Sequence, residues 1–318
     1  MKSLVLLALA LAAGAAGAQV TVQEYPLPPR VGAHDVWADP APGGPVWFSA
    51  QRSGHLGRLD PKTGKVELIP LGAGSSPHGV ILDAAGMPWL TDSGQNAIVR
   101  VDPKSRTVKS WPLPTDTGYA NLNTAIFDQA GIHWFTGQSG YYGRLDPKTG
   151  ELKVFEAPKG RGPYGIHATP DGTVYYASLA GSYLGRIDAA SGKAAVIEPP
   201  TRHQGARRVW SDSKGRLWVA EWNSGQLSRY DPASGAWAQW KAPGEYPRVY
   251  AVYVDETDKV WVAEWASQAM LRFDPATQKF ELFKSSTEKP NVRQIHGRRG
   301  EVWTPESAAD KLVVYRYR

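Results

Sequence analysis

The sequence predicts an all-β fold, a seven-bladed β-propeller. Aromatic residues recur every 41 to 45 positions along the 318-residue chain, a period typical of a propeller blade. The seven recurring aromatics are Trp47, Trp89, Trp134, Tyr175, Trp218, Trp261 and Trp303. Between them, apolar residues alternate with polar ones and are often β-branched or aromatic, which favours strands over helices. The 33 glycines and 25 prolines would break long helices, so a helical repeat of similar period is not expected.

Each repeat is predicted to form four strands, a to d. In the second repeat these are "GVILD", "PWLTD", "AIVRV" and "TVKSWPL". An Asp-x-x-Gly segment, such as Asp83 to Gly86, joins strands a and b, and Asp-Pro-Lys-Thr-Gly segments join c and d in other repeats. Aspartate accepts hydrogen bonds within its own turn, and glycine supplies a positive φ. We therefore interpret these recurring residues as turn formers without a direct role in function.

The two ends of the chain are predicted to meet in one blade. The last repeat ends at "KLVVYRYR" and lacks a fourth strand, whereas residues 20–28, "VTVQEYPLP", resemble the fourth strands of other repeats. The N-terminal strand is thus expected to complete the seventh blade and close the ring, which removes exposed sheet edges. Residues 19–318 are predicted to form this single domain.

Residues 1–18 have the pattern of a signal peptide. Lys2 precedes an apolar run, and small residues occupy positions Ala16 and Ala18. We expect cleavage near Ala18 and a periplasmic or secreted protein. No later segment is apolar enough to span a membrane. The chain has no cysteine, which excludes disulfides and thiolate metal sites.

The net charge of +6 comes from scattered residues and forms no basic run, so we expect no nucleic-acid partner. The expected protein is a monomer that takes a small-molecule ligand or substrate at the mouth of its central channel.

Two positions in each repeat are predicted to surround that mouth, because strands a and b are antiparallel. The first opens strand a: His34, His78, Asn123, Tyr164, Arg207, Tyr250 and Arg293. The second closes strand b and is acidic in four repeats: Asp92, Glu221, Glu264 and Glu306. A scaffold alone does not require this mixture of imidazoles, guanidiniums, phenols and carboxylates, so we predict a binding site here.

His34, His78 and Asp92 form the candidate catalytic set. The histidines lie in adjacent blades, and Asp92 is expected beside His78, where a carboxylate orients an imidazole or binds a cation. The plain alternative is that such histidines bond loop carbonyls and such carboxylates cap backbone. His167 is interpreted as structural, and His296 as a weaker candidate near the mouth of blade seven.

The segments "PHGVILDAAGMPWLTDSGQNAIVRVDPKS" and "AHDVWADP", with "VWFSAQRSGHLGRLDPKTGK", resemble the blades of the streptogramin B lyase (virginiamycin B lyase) family. The resemblance implies a seven-bladed propeller that binds Mg²⁺ and opens a macrocyclic ester by elimination. Carried over by motif, it implies His34, His78 and Asp92 as catalytic residues, with Asp92 near the metal. A neutral histidine would remove the proton α to the ester carbonyl, which Mg²⁺ would polarise.

Two other functions remain open. A non-catalytic propeller would bind an anionic or sugar-like ligand, or a partner, through residues such as Arg207, Tyr250 and Arg293. A metal-dependent lactone hydrolase of the gluconolactonase type is the weakest alternative. It uses a Glu-Asn-Asn-Asp constellation, and Asn123 is the only asparagine at the mouth positions.

Overall fold

The computed structural model describes residues 20–317 and confirms the seven-bladed β-propeller. The predicted signal peptide, residues 1–18, lies outside the described residues. Blades one to four comprise β2 (Ala33–Ala38), β3 (Val46–Ala50), β4 (His55–Leu59) and β5 (Val66–Pro70); β6 (Pro77–Leu82), β7 (Pro88–Asp92), β8 (Ala97–Val101) and β9 (Val108–Pro112); β10 (Leu122–Phe127), β11 (His133–Gly137), β12 (Tyr141–Leu145) and β13 (Leu152–Glu156); β14 (Pro163–Ala168), β15 (Val174–Ser178), β16 (Tyr183–Ile187) and β17 (Ala194–Ile197).

The remaining three blades have the same antiparallel order. They comprise β18 (Ala206–Ser211), β19 (Leu217–Glu221), β20 (Gln226–Asp231) and β21 (Ala236–Lys241); β22 (Val249–Val254), β23 (Val260–Glu264), β24 (Ala269–Asp274) and β25 (Lys279–Lys284); β26 (His296–Arg298), β27 (Glu301–Glu306), β28 (Lys311–Arg316) and β1 (Thr21–Pro26). A short 3₁₀ turn at Thr115–Thr117 follows blade two. Within the described part of the chain, no helix has the length and apolarity needed to cross a membrane.

The N-terminal strand closes the ring. Strand β1 pairs antiparallel with β28, from Thr21 opposite Arg316 to Pro26 opposite Lys311. Apolar side chains of blade one, such as Phe48, pack with Trp303 of blade seven in one buried cluster. Because blade seven combines both ends of the chain, the closure depends on strand pairing and on core packing.

In blades two, three, five and six the aspartate of the a–b turn also fixes the recurring tryptophan. The indole N–H of Trp89 donates to Asp83 at 2.9 Å, and that of Trp261 donates to Asp255 at 2.8 Å. The same aspartate accepts backbone N–H groups of its own turn, as Asp83 does from Ala85. These contacts account for the Asp and Trp of the repeat as scaffold.

A bulge at the start of the inner strand positions the functional side chains. Six of the seven innermost strands shift register just after their first residue, as β2 does between Ala33 and Val36. Such bulges re-aim the side chains beside them. In blade seven the inner strand β26 is short, and Arg293 lies ahead of it, next to a single bridge between Val292 and Glu306.

Candidate functional site

The second residue of each inner strand, or its equivalent in blade seven, lies at one end of the channel. We call this set the mouth ring: His34, His78, Asn123, Tyr164, Arg207, Tyr250 and Arg293. The two imidazole rings are tilted against each other with centroids 3.8 Å apart, and each histidine is only 5% exposed. The side chains of His34 and His78 therefore converge, as the sequence predicts.

The other half of the mouth ring combines tyrosine and arginine. The hydroxyls of Tyr164 and Tyr250 are 2.6 Å apart, and Arg207 donates to the hydroxyl of Tyr164 at 3.1 Å. The guanidinium of Arg207 is 3.5 Å from the ring centroid of Tyr250 and 4.7 Å from that of Trp222. The charge of Arg207 is thus enclosed by aromatic faces, which stabilises a cation.

Asp92 does not make the expected contact with the mouth histidines. Its Oδ1 accepts the backbone N–H groups of Ser76, Gly94 and Gln95 at 2.9 to 3.0 Å, and its Oδ2 accepts the hydroxyl of Ser75 at 2.5 Å. It bonds neither His34 nor His78 among the described residues. The prediction that Asp92 orients His78 is therefore wrong, because its acceptor capacity is used by the loops around it.

The other carboxylates that close strand b are also engaged with nearby loops. Glu264 accepts three backbone N–H groups, and Glu306 accepts the hydroxyls of Ser285 and Thr287. Glu221 accepts the hydroxyls of Ser224 and Ser228, and none of its hydrogen bonds in the described structure reaches the mouth ring. Burial raises its pKa. These three carboxylates therefore serve the loops rather than the side chains of the mouth ring.

The carboxylate that does meet the histidines is Asp35, which the sequence reasoning missed. Its Oδ1 is 2.8 Å from Nδ1 of His34, and Arg208 donates to both of its oxygens at 2.9 and 3.2 Å. Both members of this ion pair are almost fully buried. A signal was present, because Asp35 and Arg208 stand at a position that is glycine in blades two and four, Gly79 and Gly165.

Hydrogen bonds assign a tautomer to each mouth histidine. Since the Asp35 carboxylate only accepts, Nδ1 of His34 donates to it and Nε2 keeps its lone pair. Nε2 of His78 accepts from the amide of Asn123 at 3.0 Å, whose oxygen accepts the hydroxyl of Thr124. Nδ1 of His78 then carries the proton, and it is buried without a protein partner.

Both histidines are held neutral. Burial lowers the pKa of His34 well below its ordinary value, and the charges of Arg293, Arg208 and Arg207 lower it further. Burial also lowers the pKa of His78, with His34 as the next cause. A neutral imidazole with a free nitrogen is the form that accepts a proton.

His34 faces a cavity of about 370 Å³. The cavity is lined by Gly32, His34, Gln51, Arg52, Ser75, Ser76, Arg293 and Ser307. Two guanidiniums and three serines line it, and no carboxylate does. A ligand in this cavity would meet Nε2 of His34 in a positively charged environment.

A second ring of histidines and aromatic residues lies further along the inner strands. We call it the lower ring: Trp37, His167, Trp210, Tyr253 and His296. His296 stacks on Trp37 with centroids 3.7 Å apart, and its Nδ1 accepts the N–H of Ala38 at 3.1 Å. The expectation that His296 lies near the mouth is wrong, because it occupies β26, beyond the bridge that places Arg293.

The residues at the mouth do not suit Mg²⁺. His34, Asp35 and His78 each offer one ligand atom, all within 4.8 Å of one another. Magnesium prefers several oxygen ligands, whereas this set has one carboxylate, already bonded by Arg208 and His34. The nearby positive charges of Arg293 and Arg207 would further oppose a divalent cation.

The chain is similar in fold to solved lyases. The virginiamycin B lyase of Staphylococcus aureus aligns with a TM-score of 0.85 and 20% identity over 94% of this chain and 99% of that one. A streptogramin B lyase structure has the same score and identity over 94% of this chain and 98% of its own. A catalytically inactive histidine-to-alanine variant of the Staphylococcus aureus enzyme, with quinupristin, aligns equally well, at 0.85 and 20% over 94% and 99%. At this identity the likeness establishes the fold.

No curated protein sequence matches the chain significantly. The family model described as the virginiamycin B lyase family matches residues 10–235, more than two thirds of the sequence. The chain therefore belongs to the virginiamycin B lyase family.

Proposed function

We propose that this protein is a carbon–oxygen lyase that opens an ester or lactone by elimination, with His34 as the general base. The observation that supports this most directly is the buried Asp35–His34 pair beside the cavity. The names of the similar structures agree with a lyase, and one of them loses activity when a histidine is replaced.

The pair has the features of a general base. Asp35 accepts from Nδ1 of His34, which fixes the tautomer and leaves Nε2 to take a proton. Arg208 holds the Asp35 carboxylate from the opposite side of the channel, so the carboxylate cannot rotate away. Since the pKa of His34 is lowered, its imidazole is neutral at neutral pH, which is the form that can accept a proton.

The elimination requires a carbonyl next to the carbon that loses its proton. Nε2 of His34 takes the proton, and the electron pair of the C–H bond forms a double bond to the neighbouring carbon. The C–O bond on that neighbour breaks, and the acyloxy group leaves as a carboxylate. The activating carbonyl is therefore on the alcohol side of the ester, rather than the ester carbonyl itself, which corrects the sequence-based mechanism.

His78 is a positioning residue in this proposal. Its Nε2 accepts from Asn123 and is not free to act as a base. Its ring packs against that of His34, with centroids 3.8 Å apart, and so holds the imidazole of His34 in place. No metal ion takes part in this step, because the donor set of His34, Asp35 and His78 does not suit Mg²⁺.

The mass of the product tests the reaction class. The wild-type protein would be incubated with quinupristin and with 3-acetoxybutanoate in water enriched in oxygen-18. Elimination opens the macrocycle without a change of mass, and it splits the smaller ester into crotonate and acetate free of the heavy isotope. Hydrolysis would add one labelled water, and that result, or no turnover of either ester, would contradict the proposal.

The alternative of a non-catalytic, ligand-binding propeller is favoured by one observation, the two guanidiniums of the cavity. It predicts binding of anions with no covalent change, and the same experiment separates it from a lyase. The lactone hydrolase alternative is not supported. Asn123, the one asparagine at the mouth positions, is hydrogen-bonded to His78 and Thr124.

A further inference from the structure

We infer that the cavity beside His34 binds a carboxylate of the substrate. Arg293 and Arg52 would supply positive charge there in place of a metal ion. This inference rests on the proposed lyase function and names its substrate class: small acids that carry an acyloxy group on the carbon β to the carboxylate.

The first observation is the charge of the cavity. Arg52 and Arg293 line it, and neither pairs with a carboxylate anywhere in residues 20–317. Asp35 is paired with Arg208, and Asp92 lies behind the cavity wall, where it accepts from Ser75 and Ser76. The residues that line the cavity thus include two guanidiniums and no carboxylate, and their positive charge attracts an anion.

The second observation is the support given to Arg293. Its guanidinium lies 5.2 Å from the ring centroid of Trp265, and Nη1 is 3.5 Å from the hydroxyl of Tyr250. The charge of Arg293 is also the second cause of the lowered pKa of His34, which places the two groups in one electrostatic environment. Since a guanidinium presents several N–H groups in a plane, Arg293 is suited to bind both oxygens of a carboxylate.

The third consideration is chemical. Removing a proton α to a carboxylate creates a second negative charge on the same group, so the reaction needs cations at the carboxylate oxygens. The base and the cations must therefore act on adjacent atoms, and the cavity brings together His34 and Arg293. With a β-acyloxy acid, His34 takes the α proton, the C–O bond at the β carbon breaks, and the products are an unsaturated acid and a free carboxylate. The proton then passes from His34 to water.

The size of the cavity agrees with a small acid. Its volume of about 370 Å³ is near the lower end of the range for small-molecule sites, about 300–1,000 Å³. Its hydroxyl groups, from Ser75, Ser76 and Ser307, add polar partners for an oxygen-rich ligand.

Binding can be measured without catalysis. Titration calorimetry would compare 3-hydroxybutanoate, which has no acyloxy leaving group, with its neutral methyl ester. We expect the acid to bind at least tenfold more tightly, and Arg293→Gln to remove that preference. Arg52→Gln should reduce it less, because Arg52 is exposed and better screened by solvent.

The matched control is Arg299→Gln. Arg299 is exposed and lies in the turn between β26 and β27, outside the residues that line this cavity. The substitution removes one positive charge from blade seven, as Arg293→Gln does. Because Arg299 does not line the cavity, its loss should leave the preference for the acid unchanged. Equal binding of acid and ester by the wild type, or equal losses in Arg293→Gln and Arg299→Gln, would overturn the inference.

Turnover then separates this inference from the lyase proposal. We expect 3-acetoxybutanoate to yield crotonate at a rate that a chelator does not change, and its methyl ester to react at least tenfold more slowly. If the acid binds through Arg293 but no ester is eliminated, the lyase proposal fails and the carboxylate site stands. If the neutral ester is eliminated as fast as the acid, or if added Mg²⁺ is required, the lyase proposal stands and this inference fails.

Discussion

The mouth ring and the lower ring each contain two histidines, and the two pairs have different environments. His34 bonds the carboxylate of Asp35 and lines the cavity, and His78 accepts from the amide of Asn123. His167 and His296 instead lie among the aromatic rings of Trp37, Trp210 and Tyr253. Burial lowers the pKa in all four cases. Burial alone therefore makes a neutral histidine. A base also needs a partner that fixes its tautomer and an open nitrogen.

The largest expected effect is on activity at the mouth ring. His34→Ala should lower kcat/KM for a β-acyloxy ester by about 10²–10⁴-fold, since general base catalysis contributes that much. His296→Ala should leave kcat/KM within about twofold, but it should lower the free energy of unfolding by about 2–3 kcal/mol through lost packing on Trp37. Kinetics and urea unfolding of both variants check the pattern. If His296→Ala lost activity while its free energy of unfolding matched that of the wild type, the contrast between the two rings would be wrong.

The next effect concerns the carboxylate that distinguishes the rings. Asp35→Asn should lower kcat/KM by about 10- to 100-fold, because the amide no longer fixes the imidazole. It should also destabilise the protein by about 3–5 kcal/mol, since it leaves the charge of Arg208 buried without its partner.

A double variant separates these two consequences. Replacing the pair with Asp35→Leu and Arg208→Met removes both charges, so stability should return toward that of the wild type. Activity should stay low, because His34 still lacks its partner. Recovery of activity together with stability would mean that Asp35 acts only by supporting the fold.

Much of this molecule follows from the sequence because its scaffold is periodic. The spacing of Trp47, Trp89 and the later aromatics predicts the blades, and counting from the turns predicts the mouth ring. The count also holds for Arg293, although the inner strand of blade seven is short. Periodic positions are predictable because each blade repeats one set of hydrogen bonds.

The choice of carboxylate was not predictable in the same way. Asp92 accepts from Ser75 and Ser76 ahead of β6 and from Gly94 and Gln95 after β7, and sequence pairing alone does not reveal these bonds. Asp35 meets Arg208 across the channel from 173 positions away, after a bulge has re-aimed its strand. Contacts between distant blades depend on ring geometry, so the sequence shows that Asp35 and Arg208 replace a glycine of the repeat but does not show that they meet.

A third effect is the acid sensitivity of the lower ring. Burial lowers the pKa of His167 and of His296 to about 3, below the value of about 6.5 in an unfolded chain. Their contribution to stability is therefore complete above pH 6.5 and is lost as the pH falls toward 3. Each histidine should add about 1.4 kcal/mol per pH unit to the slope.

His296→Phe tests this slope by keeping an aromatic ring without a titrating group. Between pH 6 and pH 4, its free energy of unfolding should fall less steeply than that of the wild type, by about 1.4 kcal/mol per pH unit. Above pH 7 the two curves should run parallel, which serves as the internal control. Parallel curves at all pH values would show that His296 is not buried as a neutral group.

The smallest effect is a shift in the pH dependence of activity. The groups that face His34 are Asp35 and His78 from blades one and two, and Arg207, Arg208 and Arg293 from blades five and seven. Asp35 favours the protonated imidazole, whereas burial and the three guanidiniums favour the neutral one. The net result is a lowered pKa of His34.

Because His34 must be neutral to take a proton, kcat/KM should stay level from pH 8 to pH 6.5 and decline only in more acidic solution. Arg293→Gln removes one of the charges that lower the pKa of His34, so its decline should begin at a higher pH than in the wild type. Arg299→Gln should leave the position of the decline unchanged, since Arg299 lies at the turn between β26 and β27. Profiles of kcat/KM for the three proteins at constant ionic strength measure the shift. An acid limb that is the same in all three would mean that His34 is not the group whose protonation ends activity, and the contrast between the two rings would then lie in packing alone.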